Sequence, residues 1–213
     1  MTGVVTVKVA QPPATSPSHA TAVLRTGDGR TVLLPWERWF GAARPEEERV
    51  LDMVRGPALD IGCGPGRLAA ALIRRGVAVL GVDTAPAAAS IAGRRGVQVI
   101  VRSVFDRIPG AGDWRTVLLI DGNLGIGGDP QALLARVRGL LRSPGRVLVE
   151  VEPPGVVTRR LDVRLEVDGV PGEAWFPWAQ VGADALSDLA VRSGFEIEEM
   201  WTQEDRWFAR LGL

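Results

Sequence analysis

ALDIGCGPGRLAAAL, residues 58–72, places three glycines and a proline between an apolar run and an alanine- and leucine-rich segment. The apolar run predicts a buried strand, and the segment after the glycines predicts a helix. Glycine stabilises neither element, so Gly62, Gly64 and Gly66 indicate a backbone geometry or a close approach that a side chain would prevent. A strand, a glycine loop and a helix N-terminus together form a corner whose backbone N–H groups can bind an anion or a nucleotide.

Strand and helix patterns alternate after this corner. We expect strands at 58–61, 77–82, 97–101, 116–120 and 146–151, with helices at 66–75, 85–95 and 130–142. Near-continuous Val, Leu and Ile runs between short helices predict a parallel sheet covered on both faces. Residues 159–178 alternate apolar and polar side chains around Asp168-Gly169, which predicts a β-hairpin inserted after the fifth strand. A helix at 183–193 and two terminal strands, expected to form an antiparallel hairpin, complete a seven-stranded α/β sheet.

The residues before the first core strand carry a different set of signals. We expect residues 1–56 to form a Pro-, Ser- and Thr-rich arm at 11–21, a hairpin around Gly27-Asp28-Gly29, and a lid. The lid segment is PWERWFGAARP, residues 35–45, which precedes the core and is placed to fold over its cleft. Residues 57–213 are expected to form the cofactor-binding core, and the whole chain a single domain.

Length and composition limit the classes of function. The chain has 213 residues, of which 46% are hydrophobic, enough for one full-sized core. Acidic and basic residues balance at 25 each, which predicts no nucleic-acid partner and no anionic membrane partner. The single cysteine, Cys63, excludes an internal disulfide and fits a reducing compartment. With no long apolar run at its start, the chain is expected to be cytoplasmic; we predict no metal site.

Two classes of cofactor use a glycine corner of this kind. Dinucleotide-binding proteins carry Gly-x-Gly-x-x-Gly, but here the position of the third glycine is Arg67. The observed spacing therefore counts against a nicotinamide or flavin site. Asp83 ends the second strand, where a carboxylate can accept hydrogen bonds from both hydroxyls of a ribose.

LDIGCGPG, followed by LGVD beyond the next helix, resembles the class I, Rossmann-like S-adenosylmethionine (SAM)-dependent methyltransferases, whose sheet is doubly wound. The resemblance covers roughly residues 58–213 and implies SAM as cofactor and S-adenosylhomocysteine as product. It implies that Asp60 holds the glycine loop, that Asp83 binds the ribose, and that the loop after the fourth strand lies below the reactive methyl group. The acid often found at the adenine position is replaced here by Ser103. The implied cofactor-binding residues are Asp60, Gly62, Cys63, Gly64, Gly66, Asp83, Thr84, Ser103, Val104, Asp121, Gly122 and Asn123.

Each of these signals also has a purely structural interpretation. The glycine loop and residues 121–123 can be ordinary turns, and Asp83 can cap the next helix. Cys63, between two glycines, is more easily explained as a small buried filler than as a nucleophile. The aromatic side chains of the lid segment and the insertion either wall a pocket for a flat or apolar molecule or cover the sheet as core. They are Trp36, Trp39, Trp175, Phe176 and Trp178.

The acceptor and the base are the least determined features. The family members that methylate nucleic-acid amines carry an Asn/Asp-Pro-Pro-aromatic motif after the fourth strand; DGNL stands there instead, which favours a small-molecule acceptor. The chain has no tyrosine, and its single histidine and single lysine, His19 and Lys8, lie near its start. The candidate bases are therefore the carboxylates Asp121, Glu37, Glu150 and Glu152, unless the acceptor atom reacts without a base to remove its proton.

The function that we expect is methyl transfer from SAM to a small molecule, in bacterial specialised metabolism. One alternative is a non-catalytic protein that binds SAM or S-adenosylhomocysteine and acts through a partner. A nucleotide-dependent oxidoreductase is a further alternative, which Arg67 disfavours.

Overall fold

Two β-sheets organise the chain in a computed structural model that describes residues 20–213. The strands are β1 (Ala22–Thr26), β2 (Thr31–Leu33), β3 (Ala58–Ile61), β4 (Val79–Asp83), β5 (Gln98–Val101), β6 (Trp114–Leu119), β7 (Leu141–Val151), β8 (Arg159–Val167), β9 (Val170–Pro171), β10 (Phe176–Gln180), β11 (Glu196–Gln203) and β12 (Arg206–Gly212). The helices are α1 (Trp36–Phe40), α2 (Glu48–Met53), α3 (Arg67–Arg74), α4 (Pro86–Arg94), α5 (Pro130–Arg138) and α6 (Leu186–Arg192). His19, Lys8 and most of the expected arm lie outside the described residues.

The larger sheet has seven strands in the order β11-β12-β7-β6-β3-β4-β5. The five strands from β7 to β5 are parallel, and the β11–β12 hairpin joins the edge of β7 antiparallel. This order confirms the doubly wound, Rossmann-like fold expected from the sequence, including its antiparallel C-terminal hairpin. The carboxyl ends of the parallel strands meet at one edge, where ligands bind in open α/β sheets.

Alternation along β7 separates the two cores that cover this sheet. Val147 and Val149 face one core with Leu133 of α5 and Leu186 of α6. Leu148, between them, faces the other core, which includes residues of α2 and α3. Because successive side chains of a strand point to opposite faces, a continuous Val/Leu run fits a strand that is buried on both sides.

The smaller sheet joins segments from the two ends of the insertion and from the chain's N-terminal part. Its order is β10-β8-β1-β2, and β9 also pairs with β8. The expected inserted hairpin is formed by β8 with β9 and β10. Strand β1 pairs antiparallel with the other edge of β8, from Ala22 opposite Val167 to Thr26 opposite Val163. The N-terminal hairpin and the insertion therefore form one unit.

This unit is fixed to the larger sheet at the loop after β6. Ile126 of that loop forms a bridge with Trp178 of β10. A Cβ atom at Gly125 would overlap the carbonyl oxygen of Ala179, so the two backbones lie too close for any other residue. Arg95, just after α4, donates to the carbonyls of Phe40 and Gly41 and so holds the end of α1. Arg38 of the lid segment reaches Asp121 in the loop after β6, so this part of the lid segment lies near the carboxyl edge of the sheet.

None of the helices formed by residues 20–213 is long and apolar enough to cross a membrane.

Replacing Gly125 by alanine tests the close approach of the two backbones. We expect Gly125→Ala to lower the free energy of unfolding by about 1–3 kcal/mol, because the added methyl group forces β10 away from the loop. Urea denaturation followed by tryptophan fluorescence measures the change. The control is Gly93→Ala in α4, where a Cβ meets no atom within 4 Å and higher helix propensity should stabilise by up to about 1 kcal/mol. Equal unfolding midpoints for Gly125→Ala and the wild type would contradict the contact.

Candidate active site

The three glycines of the corner all have positive φ, at 70°, 52° and 76°, but for different steric reasons. A Cβ at Gly62 would lie 2.6 Å from the amide nitrogen of Asn123, and one at Gly66 would lie 2.8 Å from the Cβ of Ala92. Gly64 differs, since a Cβ there would meet no atom of residues 20–213 within 4 Å. Gly64 therefore borders open space, and its backbone is available for the close approach of a ligand.

Asp83 lies at the end of β4, directly beside this open glycine. Its Oδ2 accepts the N–H of Gly64 at 2.7 Å, and its Oδ1 accepts the N–H of Ala85 at 2.8 Å. Burial raises the pKa of Asp83, and these two N–H donors oppose the shift. Each carboxylate oxygen keeps a further lone pair, so hydrogen bonds from a diol remain possible.

Cys63 packs inside the corner. A Cβ at Gly81 would lie 2.6 Å from the Cys63 sulfur, so the thiol occupies the space that a side chain on β4 would need. Burial, followed by the charges of Asp60 and Asp83, raises the pKa of the thiol. A buried, neutral thiol of this kind fits a packing role.

Asp121 begins the loop after β6 and receives three arginine side chains. Arg38 of the lid segment donates to its Oδ1 at 2.8 Å, and Arg67 of α3 donates to its Oδ2 at 2.6 Å. Arg206 of β12 approaches Oδ1 at 3.1 Å. The φ of Asp121 is +60°, a conformation that costs a non-glycine residue free energy and persists only where neighbours impose it.

Glu47 and Glu150 complete a cluster of three cations and three anions, which we name the arginine cluster: Arg38, Arg67, Arg206, Glu47, Asp121 and Glu150. Arg206 holds Glu150 in a bidentate pair at 2.8 and 2.7 Å and binds Glu47 at 2.7 Å. Arg67 also donates to Glu47, which has no exposed surface. Burial alone would raise the pKa of Glu47, but Arg67 and Arg206 outweigh it and hold that pKa below its usual range.

The other expected cofactor-binding residues surround the corner. The Asn123 amide donates to the carbonyls of Ile61 and Gly62 at 2.9 and 3.0 Å, and so ties the loop after β6 to the glycine loop. Ser103 accepts the N–H of Phe105 through its hydroxyl and donates its own N–H to Asp106. Val104 and Asp60 are buried, whereas Thr84 and Gly122 are partly exposed.

The four candidate bases occupy different environments. Asp121 and Glu150 lie together: the Asp121 N–H donates to Glu150 at 2.6 Å, and both carboxylates are bound by arginines. Glu37 is exposed and forms no ion pair within residues 20–213. Glu152 lies just beyond β7; partial burial and the charge of Glu150 raise its pKa, and a hydrogen bond with Gln180 opposes them.

The aromatic side chains of the lid segment and the insertion are divided between core and loop. Trp36 is buried against Ala22 and Val167 of the smaller sheet. Trp178 approaches the loop after β6, where a Cβ at Gly122 would lie 3.9 Å from its ring. Trp175 is 42% exposed, with the Arg164 guanidinium over its ring at 5.0 Å.

Sequence reasoning missed most of the arginine cluster. Arg67 stood out only as a departure from the dinucleotide fingerprint, and Glu47, Arg38 and Arg206 were not singled out. Glu47 and Arg206 are 159 positions apart, so no local pattern relates them. A charged residue inside an otherwise apolar stretch, such as Arg67 before LAAAL, was the one signal available.

Comparison with known proteins assigns the corner to a family. Residues 58–145 match the sequence model of a methyltransferase domain. This segment of the chain is therefore similar to methyltransferase domains. The resemblance carried by LDIGCGPG is thereby confirmed, and the methyltransferase domain contains β3, the glycine loop, Asp83 and Asp121. No curated protein sequence matches the chain.

Several solved methyltransferases are similar to this one in structure. A SAM-dependent methyltransferase from Bacteroides fragilis, solved with S-adenosyl-L-homocysteine, has a TM-score of 0.74 and 24% identity, covering 90% of this chain and 86% of that one. A 1,6-didemethyltoxoflavin-N1-methyltransferase from Burkholderia thailandensis has a TM-score of 0.59 and 20% identity, covering 79% of this chain and 76% of that one. A SAM-bound amino pentose methyltransferase of calicheamicin biosynthesis from Micromonospora echinaspora has a TM-score of 0.61 and 17% identity, covering 82% of this chain and 93% of that one. At these identities the likeness shows a shared fold.

The residues of this methyltransferase fit a SAM molecule. Gly64 offers backbone beside open space, where a side chain would block a ligand. Asp83 offers two carboxylate oxygens at the end of the neighbouring strand. Loop 121–123 approaches the same corner through Asn123.

Removal of the Arg206 charge is expected to lower the free energy of unfolding more than removal of any other arginine charge. Arg206→Met leaves buried Glu47 and Glu150 without their shared cation, so we expect a loss of about 3–5 kcal/mol in the free energy of unfolding. The matched control is Arg210→Met on the same strand, whose pair with Glu198 is partly exposed and should cost less than about 1 kcal/mol. Guanidinium denaturation measures both, and equal losses would contradict the importance of the cluster.

Asp60 should make the stability of the ligand-free methyltransferase depend on pH. Burial raises its pKa from 3.8 to about 7, with Asp121 and Asp83 adding to the shift and Arg67 opposing it. Below about pH 4 the carboxyl is protonated in both states; as pH rises to about 7 the unfolded chain loses the proton first, so stability is lost.

The variant Asp60→Asn, which does not titrate, isolates this contribution. We expect its free energy of unfolding to exceed that of the wild type by an amount that grows between about pH 4 and pH 7, to at most about 4 kcal/mol, and then levels off. Denaturation at a series of pH values measures the difference between the two proteins. A difference that stays constant over that range would contradict the raised pKa.

Proposed function

We propose that the protein transfers a methyl group from SAM to a small-molecule acceptor in bacterial specialised metabolism. The observation that carries the proposal is Gly64, a positive-φ glycine bordering open space, with Asp83 hydrogen-bonded to its N–H. The calicheamicin methyltransferase of similar fold acts in the biosynthesis of a specialised metabolite, which supports the metabolic context.

The residues of the corner divide the binding of SAM between them. Gly62 and Gly64 lie against the methionine portion, Asp83 accepts hydrogen bonds from the ribose hydroxyls, and Ser103 and Val104 border adenine. Asp60 and Asn123 hold the glycine loop, and residues 121–123 lie below the reactive methyl group. SAM supplies a methyl group on a positively charged sulfur, and the protein must align an acceptor atom with that carbon.

Positioning accounts for most of the catalysis that these side chains offer. Asp121 and Glu150 are both bound by arginines, which fixes the positions of their carboxylates. Glu152 is the remaining candidate whose pKa is raised, by partial burial and by the charge of Glu150, and a raised pKa makes a carboxylate a stronger base. We propose either Glu152 as the base or an acceptor atom that needs no deprotonation by the protein.

A small acceptor fits the surroundings of the loop after β6. The smaller sheet contacts this loop through Trp178 and Ala179, and the lid segment contacts it through Arg38. Both units thus contact the loop at the carboxyl edge of the larger sheet, and a small ligand fits between such added segments and the core more easily than a long polymer does. The balance of acidic and basic residues agrees, since nucleic-acid binding draws on an excess of positive charge.

Binding of S-adenosylhomocysteine tests the cofactor assignment. Isothermal calorimetry should show binding to the wild type, a loss of at least tenfold for Asp83→Ala, and no binding for Gly64→Val, whose side chain fills the open space. Gly76→Val is the matched control: φ is +77°, no atom lies within 4 Å of its Cβ position, and Gly76 follows α3 at the end away from the corner. Gly76→Val should lower the stability of the fold but leave the affinity for S-adenosylhomocysteine unchanged. Binding of NAD without S-adenosylhomocysteine, or normal binding by Gly64→Val, would contradict the assignment.

Turnover separates the enzyme from the non-catalytic alternative. Transfer of a labelled methyl group from SAM to any member of a panel of small aromatic acids, amines and amino sugars supports catalysis. Tight binding of S-adenosylhomocysteine without transfer to any of them would favour a protein that binds the cofactor and acts through a partner.

A further inference from the structure

Helix α1 carries hydrogen-bond donors that the described residues leave unmatched. Six buried side-chain polar atoms within residues 20–213 have no partner, and three of them lie on the five residues of α1. They are the indole N–H groups of Trp36 and Trp39 and the Nε–H of Arg38. A buried donor without an acceptor costs folding free energy. The two indoles pack with the core of the smaller sheet, whereas Arg38 reaches Asp121, so its Nε–H is the donor that a ligand of the site can satisfy.

The Arg38 donor lies at the site where the acceptor must bind. Another nitrogen of the same guanidinium, Nη2, donates to Asp121 at 2.8 Å, which places the whole group at the start of the loop after β6. Arg206 of the arginine cluster uses all three of its nitrogens, whereas Arg38 has this one partner among residues 20–213. Arg38 therefore keeps a planar edge that a carboxylate can bind through two parallel hydrogen bonds.

An aromatic surface faces the next residue of the same loop. A Cβ at Gly122 would lie 3.9 Å from the ring of Trp178, and Phe176 packs edge-on against Trp178 with ring centroids 6.4 Å apart. A ligand at this loop thus meets a guanidinium beside Asp121 and an indole beside Gly122. A flat ring that carries a carboxylate presents the complementary groups.

Charge balance favours an anionic ligand over a neutral one. The arginine cluster has three positive and three negative side chains, so it is neutral without a ligand. SAM carries two positive groups and one carboxylate, and it therefore adds a net positive charge to a partly buried site. A carboxylate on the acceptor restores neutrality, which reduces the cost of burying the charges together.

We propose that the acceptor is an aromatic carboxylic acid and that Arg38 is the specificity-determining residue that binds its carboxylate. The inference rests on the proposed function, since it concerns the second ligand of the same site. SAM also has a carboxylate, but Arg38 lies on α1, which packs on the smaller sheet through Trp36. That sheet is added to the cofactor-binding core, and we therefore assign Arg38 to the acceptor.

Matched pairs of an acid and its amide test the inference without knowledge of the natural acceptor. The wild type is saturated with S-adenosylhomocysteine, and calorimetry compares benzoate with benzamide and indole-3-carboxylate with indole-3-carboxamide. We expect at least one acid to bind ten times more tightly than its amide. Arg38→Gln should abolish that preference, and Arg38→Lys should keep only part of it, because lysine retains the charge but lacks the planar pair of donors.

The control variant is Arg49→Gln, which removes an exposed arginine paired with Glu199 and should leave the preference for the acid unchanged. Thermal unfolding of each variant shows whether it is folded. Equal affinity of the wild type for acids and amides overturns the role of Arg38 while leaving the proposed function intact. Absence of S-adenosylhomocysteine binding by the wild type overturns the proposed function, and the inference with it.

A separate measurement distinguishes the acceptor from the cofactor as the source of the carboxylate. Methylthioadenosine lacks the amino-acid end of S-adenosylhomocysteine. If Arg38→Gln weakens the binding of S-adenosylhomocysteine but not that of methylthioadenosine, Arg38 binds the carboxylate of the cofactor and the inference is wrong. Unchanged affinity for both, together with loss of the preference for the acid, supports it.

Discussion

The buried pairing of Arg206 with Glu47 and Glu150 is the interaction on which the site depends. It joins the C-terminal hairpin to β7 and to the segment before α2, and Arg67 extends it to the helix that follows the glycine loop. Removing one charge from such a cluster leaves its neighbours buried and unpaired, which costs far more than an exposed pair does. The surroundings of the glycine corner therefore depend on the C-terminal hairpin and on the segment before α2 as well as on the core strands.

The acceptor side of the site is built by a different constraint, the pairing of β1 with β8. This pairing makes one sheet from residues that stand before and after most of the methyltransferase domain. The sheet meets the loop after β6 where Gly125 allows two backbones to lie against each other. A lid segment that follows β1 and β2 is carried to the same edge, and Arg38 reaches Asp121 as a result. The smaller sheet, the lid segment and the glycine corner thus meet at one loop.

The sequence predicted the features that depend on neighbouring residues. Strand and helix periods gave the order of elements, and positive-φ glycines with an acid after the next strand indicated the class of cofactor. The β1–β8 pairing and the Arg206 pairs join residues far apart in the chain, and no local pattern specifies them. The sequence around Arg95 carries no local signal of a tertiary contact, yet Arg95 donates to the carbonyls of Phe40 and Gly41. The roles of individual cofactor-binding and catalytic residues stay predictions.

The arginine cluster also bears on how the site handles charge. Asp121 is the acid nearest the expected methyl position, and a free carboxylate there would act as a base or attract the positive sulfur. Its three arginine partners hold the carboxylate in place as an anchor for the loop and for the lid segment. A site arranged in this way offers fixed geometry, because the charge-assisted hydrogen bonds of Asp121 hold the loop and the lid segment together. On the function that we propose, the acceptor then either presents an atom that is nucleophilic without deprotonation or gives its proton to Glu152.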